Sequence, residues 1–178
     1  MKRLLTIFCL LFALTASAKS QPDWLKNAVI YHIYPSTYMD SDGNGIGDLK
    51  GITSRLDYIR SCGFNCIWMS PCFASAWEDG GYDIIDYYKV DPRFGTNDDL
   101  KALIDKAHGL GIKVLLDLVA GHTSDKHPWF KQSSQAERNQ YSDYYIWSVG
   151  KNYKKPGPKF VNNNYPRDGY YIKNFFEC

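Results

Sequence analysis

Between Ala28 and Tyr34 the chain reads AVIYHIY and is then stopped by Pro35. A run this short suits a buried strand better than an amphipathic helix. After a loop rich in Gly and Asp, Leu49, Ile52, Leu56 and Ile59 recur at helical spacing and Gly63 follows. That pattern predicts a helix with one buried stripe and a glycine stop. Cys66 to Met69 forms a second brief apolar run closed by Ser70-Pro71, and Cys72 to Gly95 reads as a long aromatic loop. Thr96 with Asp99 three residues later predicts a helix start with negative charge in its first turn. Leu100, Leu103, Ile104, Ala107 and Leu110 mark the buried face of that helix, and Gly111 ends it. Val114 to Val119 is apolar at nearly every position, as a central parallel strand should be. Strand, helix, strand, helix, strand at these intervals predicts an α/β fold of right-handed βαβ units on a parallel sheet. From His122 to Cys178 neither period is sustained, and the segment reads as a loop-rich subdomain.

The N-terminus changes the picture of where the chain works. Lys2 and Arg3 precede an apolar run from Leu4 to Leu14, and Ala16-Ser17-Ala18 offers small residues for cleavage. This is the pattern of a secretory signal over residues 1–18, with too few apolar residues for a membrane span. The expected location is therefore outside the cytoplasm, periplasmic or extracellular. The whole chain carries 21 basic and 19 acidic residues, and loss of Lys2 and Arg3 leaves 19 against 19. A neutral chain argues against nucleic acid or an anionic membrane as partner. Of the five cysteines, Cys9 lies in the signal. Cys62, Cys66, Cys72 and Cys178 contain no C-x-x-C pair, so neither a zinc nor a redox motif is supported, and buried free thiols are expected.

Candidate chemistry falls in three places. Asp40-Ser41-Asp42-Gly43-Asn44-Gly45-Ile46-Gly47-Asp48 alternates oxygen-bearing side chains with glycines, an arrangement that turns several oxygens toward one point. Hard cations take such ligands, so Ca2+ is expected on Asp40, Asp42, Asn44 and Asp48 by side chain and Ile46 by carbonyl. Gly51 stands where a helix-loop-helix calcium motif needs its bidentate Glu, so that motif does not apply. A polar turn leading into the helix is the alternative. Asp117 interrupts an apolar strand, and a carboxylate there needs a partner or a function. In parallel α/β barrels, the active site lies at the strands' C-terminal ends, where Asp117 and His122 fall. Asp79 and Tyr82, in the loop after the second strand, belong to the same face. Acidic, hydroxyl-bearing and aromatic groups together suit a sugar, which offers hydroxyls at its edges and C–H groups on its faces.

The blocks AVIYHIYPSTYMDSDGNGIGDLKGI, IWMSP, DGGYDIIDYYKVDPRFGT, GIKVLLDLVAGHTSDKHPWF and YSDYYIW, in this order, closely resemble the N-terminal part of the α-amylase family of glycoside hydrolases. The α-glucosidase and oligo-1,6-glucosidase branch is the nearest in pattern, and the resemblance runs from about Trp24 to the last residue. It implies the first three βα units of a (β/α)8 barrel over 19–120, with a loop-rich subdomain inserted after the third strand over 121–178. It further implies retaining hydrolysis of α-glucosidic bonds in short α-glucans or disaccharides. Asp79 and Tyr82 resemble the residues that line the subsite for the non-reducing glucose, Asp117 the family's acid on strand three, and His122 a hydrogen-bond donor to that sugar. The loop from Asp40 to Asp48 matches the branch's calcium loop. Gly121 departs from the family pattern, which has Asn there, so any contact made by that Asn is not carried over. Retaining chemistry needs two carboxyl groups about 5 Å apart, and the family places them on strands four and five. No catalytic residue is therefore assigned within these residues, and the chain is expected to be an N-terminal fragment, inactive by itself. Two alternatives stand beside hydrolysis. One is a glycosyl-transferring relative such as a trehalose synthase, and the other a non-catalytic carbohydrate- or calcium-binding paralogue.

Overall fold

The computed structural model describes residues 21–147 in full, and residue 148 and two further strands, 160–161 and 170–172, by their backbone. The predicted alternation is present. A short helix α1 (Asp23–Lys26) leads to strand β1 (Ile30–Ile33), one helical turn α2 (Pro35–Tyr38), helix α3 (Leu49–Ser61) and strand β2 (Cys66–Met69). Helix α4 (Asn97–Gly109) and strand β5 (Lys113–Leu116) complete the second unit, after a hairpin of β3 (Phe73–Ser75) and β4 (Ile84–Val90). The main sheet runs β1-β2-β5, parallel throughout, with Ile30, Cys66 and Lys113 level with one another. Asn65 squares off its lower end. Its Oδ1 accepts from the Val29 amide at 2.7 Å, its amide donates to Val29 O at 3.2 Å, and its carbonyl accepts from the Lys113 amide at 2.9 Å.

Both helices are capped, α4 at the Thr96 start read from the sequence and α3 at Asp48, read there only as part of the acidic loop. Asp48 accepts from the Gly51 amide at α3, and at α4 Thr96 and Asp99 cap each other reciprocally. Gly63 and Gly111 follow the helix ends with φ of 91° and 72°, the left-handed conformation that stops a helix and that glycine adopts freely. Leu49, Ile52, Leu56 and Ile59 of α3 and Leu103 and Ala107 of α4 bury completely against Ile33, Ile67 and Met69 of the sheet. Burial of this apolar face is the main force holding the unit together.

Four expectations need correction. The segment Cys72 to Gly95 is not all loop, because β3 and β4 pair antiparallel within it, through two register shifts. The third strand of the main sheet ends at Leu116 rather than at Val119. The first strand is buried at Ile33 only, since Ile30 and His32 lie on the sheet face that no helix among the described residues covers. Among the cysteines, Cys66 and Cys72 are buried free thiols, as expected, but Cys62 at the end of α3 is exposed. Burial raises the Cys72 thiol to about 11. Cys178, the signal and its cleavage site lie outside the described residues.

The described residues beyond His122 hold more regular structure than their lack of period suggests. Helix α5 (Pro128–Ser133) is capped by His127, and β6 (Trp147–Ser148), β7 (Phe160–Val161) and β8 (Tyr170–Ile172) form a small antiparallel sheet with β8 in the middle.

Candidate active site and its metal loop

The parallel strands all end on one side of the sheet, and the side chains that rise there share one parity. His32, Trp68 and Asp117 point away from the helices, because Ile33, Ile67, Met69 and Leu116 take the alternate positions toward them. The Asp117 amide continues the ladder by donating to Met69 O at 3.1 Å. Its carboxylate accepts on each oxygen: Oδ1 from Trp68 Nε1 at 3.2 Å, and Oδ2 from the Tyr82 hydroxyl at 2.7 Å. The Trp68 indole stacks on the His32 imidazole with ring centres 4.3 Å apart, and His32 Nε2 lies 2.9 Å from Ser70 Oγ. Burial and the Asp117 carboxylate raise the Tyr82 phenol, so it remains a proton donor.

Tyr82 reaches Asp117 because the loop before β4 is held from beneath. Asp83 is buried and accepts from Ser75 Oγ at 2.6 Å and from the Glu78 and Asp79 amides at 2.9 and 3.2 Å. The Tyr82 amide donates to Asp79 O at 2.9 Å, which folds the two expected sugar contacts into one turn. Tyr34 donates to Gly80 O from the neighbouring strand end at 3.1 Å. His122 comes from the opposite wall. Tyr87 fixes that wall by hydrogen bonding through its hydroxyl to Val119 O and His122 O, at 2.6 and 3.0 Å. His122 lines a cleft of about 610 Å3 together with Tyr87, Leu118, Trp129, Tyr144 and Tyr145. A salt bridge between Glu78 and Lys126 spans the two walls.

Thus Tyr82 and Asp117 are in direct contact, Asp79 joins them through the backbone, and His122 lines the adjoining aromatic cleft. Trp68, His32, Ser70, Tyr87 and Asp83 were not read as site residues from the sequence. Strand parity was the available signal for His32 and Trp68, because alternate residues of a strand share a face. Both Asp117 carboxylate oxygens are thus engaged by donors of the protein itself.

The loop from Asp40 to Asp48 closes by its own side chains. Asp40 accepts from the amides of Asp42, Gly43 and Gly45 at 3.1, 2.7 and 2.7 Å, Asp42 from Asn44, and Asn44 from Ile46. Asp48 accepts from Ser41 N and Oγ, both at 2.8 Å, and from Gly51 N at 2.7 Å. The Gly45 amide and its neighbours hold Asp40 below the usual carboxylate range; burial opposes the same shift at Asp48 but is outweighed by the Ser41 and Gly51 donors. Carboxylate oxygens of Asp40, Asp42 and Asp48 all lie within 4.8 Å of one another. Calcium–oxygen distances near 2.4 Å put opposed ligands roughly 5 Å apart, so this donor set fits the ion. The loop sits tight on its surroundings: a methyl group on Gly47 would lie 2.2 Å from Pro35 O, and one on Gly51 2.0 Å from Met39 O.

Residues 32–177 match the model of the alpha amylase catalytic domain. The chain belongs to the α-amylase family. It is 51% identical over 125 residues to an oligo-1,6-glucosidase of Heyndrickxia coagulans, a stretch covering 70% of this chain and 22% of that protein. It is 47% identical over 137 residues to a trehalose synthase/amylase of Mycobacterium tuberculosis, covering 77% and 23%. Among solved structures, the trehalose-6-phosphate hydrolase of Bacillus licheniformis superposes with a TM-score of 0.78 at 40% identity, over 84% of this chain and 28% of that one. The chain therefore spans about a quarter of the length of these relatives. Its three parallel strands and two helices are the opening βα units of the α-amylase family's (β/α)8 barrel.

Proposed function

We propose that these residues form the sugar-binding half of an α-glucosidase active site, in an exported enzyme that hydrolyses short α-glucans or disaccharides with retention. The observation that carries this reading is Asp117 held by Tyr82 and Trp68 at the C-terminal ends of parallel strands, where barrel enzymes bind substrate. In this reading Asp79, Tyr82, Asp117 and His122 contact the non-reducing glucose, with the carboxylates accepting from its hydroxyls. The nucleophile and the general acid come from outside these 178 residues. The test is to express the protein from its complete coding sequence and follow isomaltose and maltose by proton NMR. Release of glucose first as the α-anomer is the expected result, and no turnover of either sugar would overturn the reading.

Glycosyl transfer is the second reading, favoured by the 47% identity to a trehalose synthase/amylase. Conversion of maltose to trehalose without net glucose release, in the same assay, would select it over hydrolysis.

Ca2+ belongs to the proposal, bound by Asp40, Asp42, Asn44 and Asp48 with the Ile46 carbonyl. When bound it supplies charge to neutralise the loop, not chemistry at the sugar. Stabilisation by a ligand follows its concentration relative to Kd, so millimolar Ca2+ should raise the melting temperature of the wild type and not that of Asp42→Ala. Export completes the reading, with cleavage near Ala18. N-terminal sequencing of the secreted protein tests it, and a retained Met1 would overturn it.

A further inference from the structure

Trp77 is the only non-glycine residue among those described with a positive φ, 60°. A bulky side chain rarely sits in this region, and it does so when its surroundings over-determine it. Those surroundings centre on Asp91. Its Oδ2 accepts from Trp77 Nε1 at 2.8 Å and from the Ser75 amide at 3.2 Å, and Oδ1 accepts from the Arg93 amide at 3.0 Å. The Arg93 guanidinium lies 4.2 Å over the Trp77 ring, and Phe94 meets that ring edge-on at 5.5 Å. Trp77 N in turn donates to Ser75 Oγ, the hydroxyl that donates to Asp83.

The strained residue stands directly ahead of the turn that carries Asp79 and Tyr82. That turn passes through Gly81 at φ 101°, where an added methyl would lie 3.4 Å from Pro71 O and 3.7 Å from the outer edge of the Trp77 indole. The indole is therefore a floor beneath the residue next to Tyr82.

We propose that Asp91 and Trp77 are a positioning pair, acting through the left-handed turn at Trp77 to aim the Tyr82 hydroxyl at Asp117. Neither residue touches substrate. The consequence for sugar binding rests on the α-glucosidase reading, but the positioning itself does not.

The experiment uses the protein expressed from its complete coding sequence, as wild type, Trp77→Phe, Tyr82→Phe and the double variant. Phenylalanine keeps an aromatic ring under Arg93 while removing both the N–H that Asp91 accepts and the outer indole edge beneath Gly81. Trp77→Phe should raise KM for isomaltose and the inhibition constant of D-glucose about tenfold, less than the roughly thirtyfold that one hydrogen bond to a charged group contributes, with kcat changed less than about threefold. The double variant should be no worse than Tyr82→Phe, because both changes act on one path. Asp91→Ala should repeat the Trp77→Phe effect, and Asp91→Asn, which retains an acceptor oxygen, should recover most of it. Additive losses, or a lower melting temperature with KM unmoved, overturn the proposal.

A second readout needs no turnover. With tyrosine labelled at 13Cζ, Tyr82 should titrate above the ordinary tyrosine value in the wild type and fall back toward it in Trp77→Phe. A Tyr82 signal unmoved by Trp77→Phe overturns the positioning role whether or not the protein is an enzyme. A moved signal without turnover supports the pair and counts against the glucosidase reading alone.

Discussion

Tyr82 and Asp117 are 35 residues apart in sequence and 2.7 Å apart in space, and their bond joins the loop before β4 to the end of β5. A hydrogen bond to a charged group contributes about 2 kcal/mol, or roughly thirtyfold in affinity. Tyr82→Phe should weaken binding of D-glucose by that order in a calorimetric titration, with the fold intact by circular dichroism. His127 sets a second expectation. Its Nδ1 accepts from the Trp129 amide at 3.0 Å, while the ring packs between Tyr87 and Trp129. Burial lowers its pKa, against the opposing pull of Asp86. The unfolded chain therefore takes up a proton before the folded one does, so stability is full above the ordinary histidine value and falls as the pH drops below it. Unfolding followed by tryptophan fluorescence from pH 7.5 to 5 should show this loss. His127→Asn, which keeps a capping side chain, should flatten it.

At the scale of elements, the two βα units rest on caps and stripes that a reader of the sequence can see. Thr96→Ala removes the hydroxyl that accepts from the Asp99 amide and should cost about 1 kcal/mol, measured as a lower denaturation midpoint with unchanged slope. The helices were legible because Leu49, Ile52, Leu56 and Ile59, and Leu103 with Ala107, keep a strict period between a cap and a glycine. The hairpin was not. β4 places Asp86, Tyr87, Tyr88 and Lys89 between buried Ile84 and Val90, so no alternation survives, and the shifted register of β3 adds to the loss. The site was half legible. Asp117 stood out as a lone acid in an apolar strand, His122 and the loop with Asp79 and Tyr82 fell on the same strand-end face, and the family resemblance supplied their roles. Trp68 and His32 were hidden because CIWM and AVIYHIY read as uniformly apolar, and only the parallel register shows which of their residues turn from the helices.

For the whole molecule, the decisive feature is that, among the described residues, helices cover the main sheet on one face only. β1 and β5 are its outer strands, and Ile30 and Trp68 on the uncovered face are 43% and 39% exposed. Unpaired parallel edges beside exposed apolar side chains are templates for association. The 178-residue chain prepared alone should therefore form concentration-dependent oligomers by light scattering and bind a hydrophobic dye; a monodisperse, dye-silent monomer would contradict this. The crowding at Gly47 and Gly51 bears on how this protein can vary through its history. Backbone carbonyls occupy the space a side chain would need, so no amount of chemical similarity rescues a replacement there. Gly43 and Gly45, with φ of 79° and 90°, face open space and are limited by backbone conformation alone. Asn and Asp, which tolerate that conformation, can enter at those two positions. Within nine residues the loop thus joins two sites open to substitution with one that permits none, and Gly51, one helical turn further on, shares that immobility.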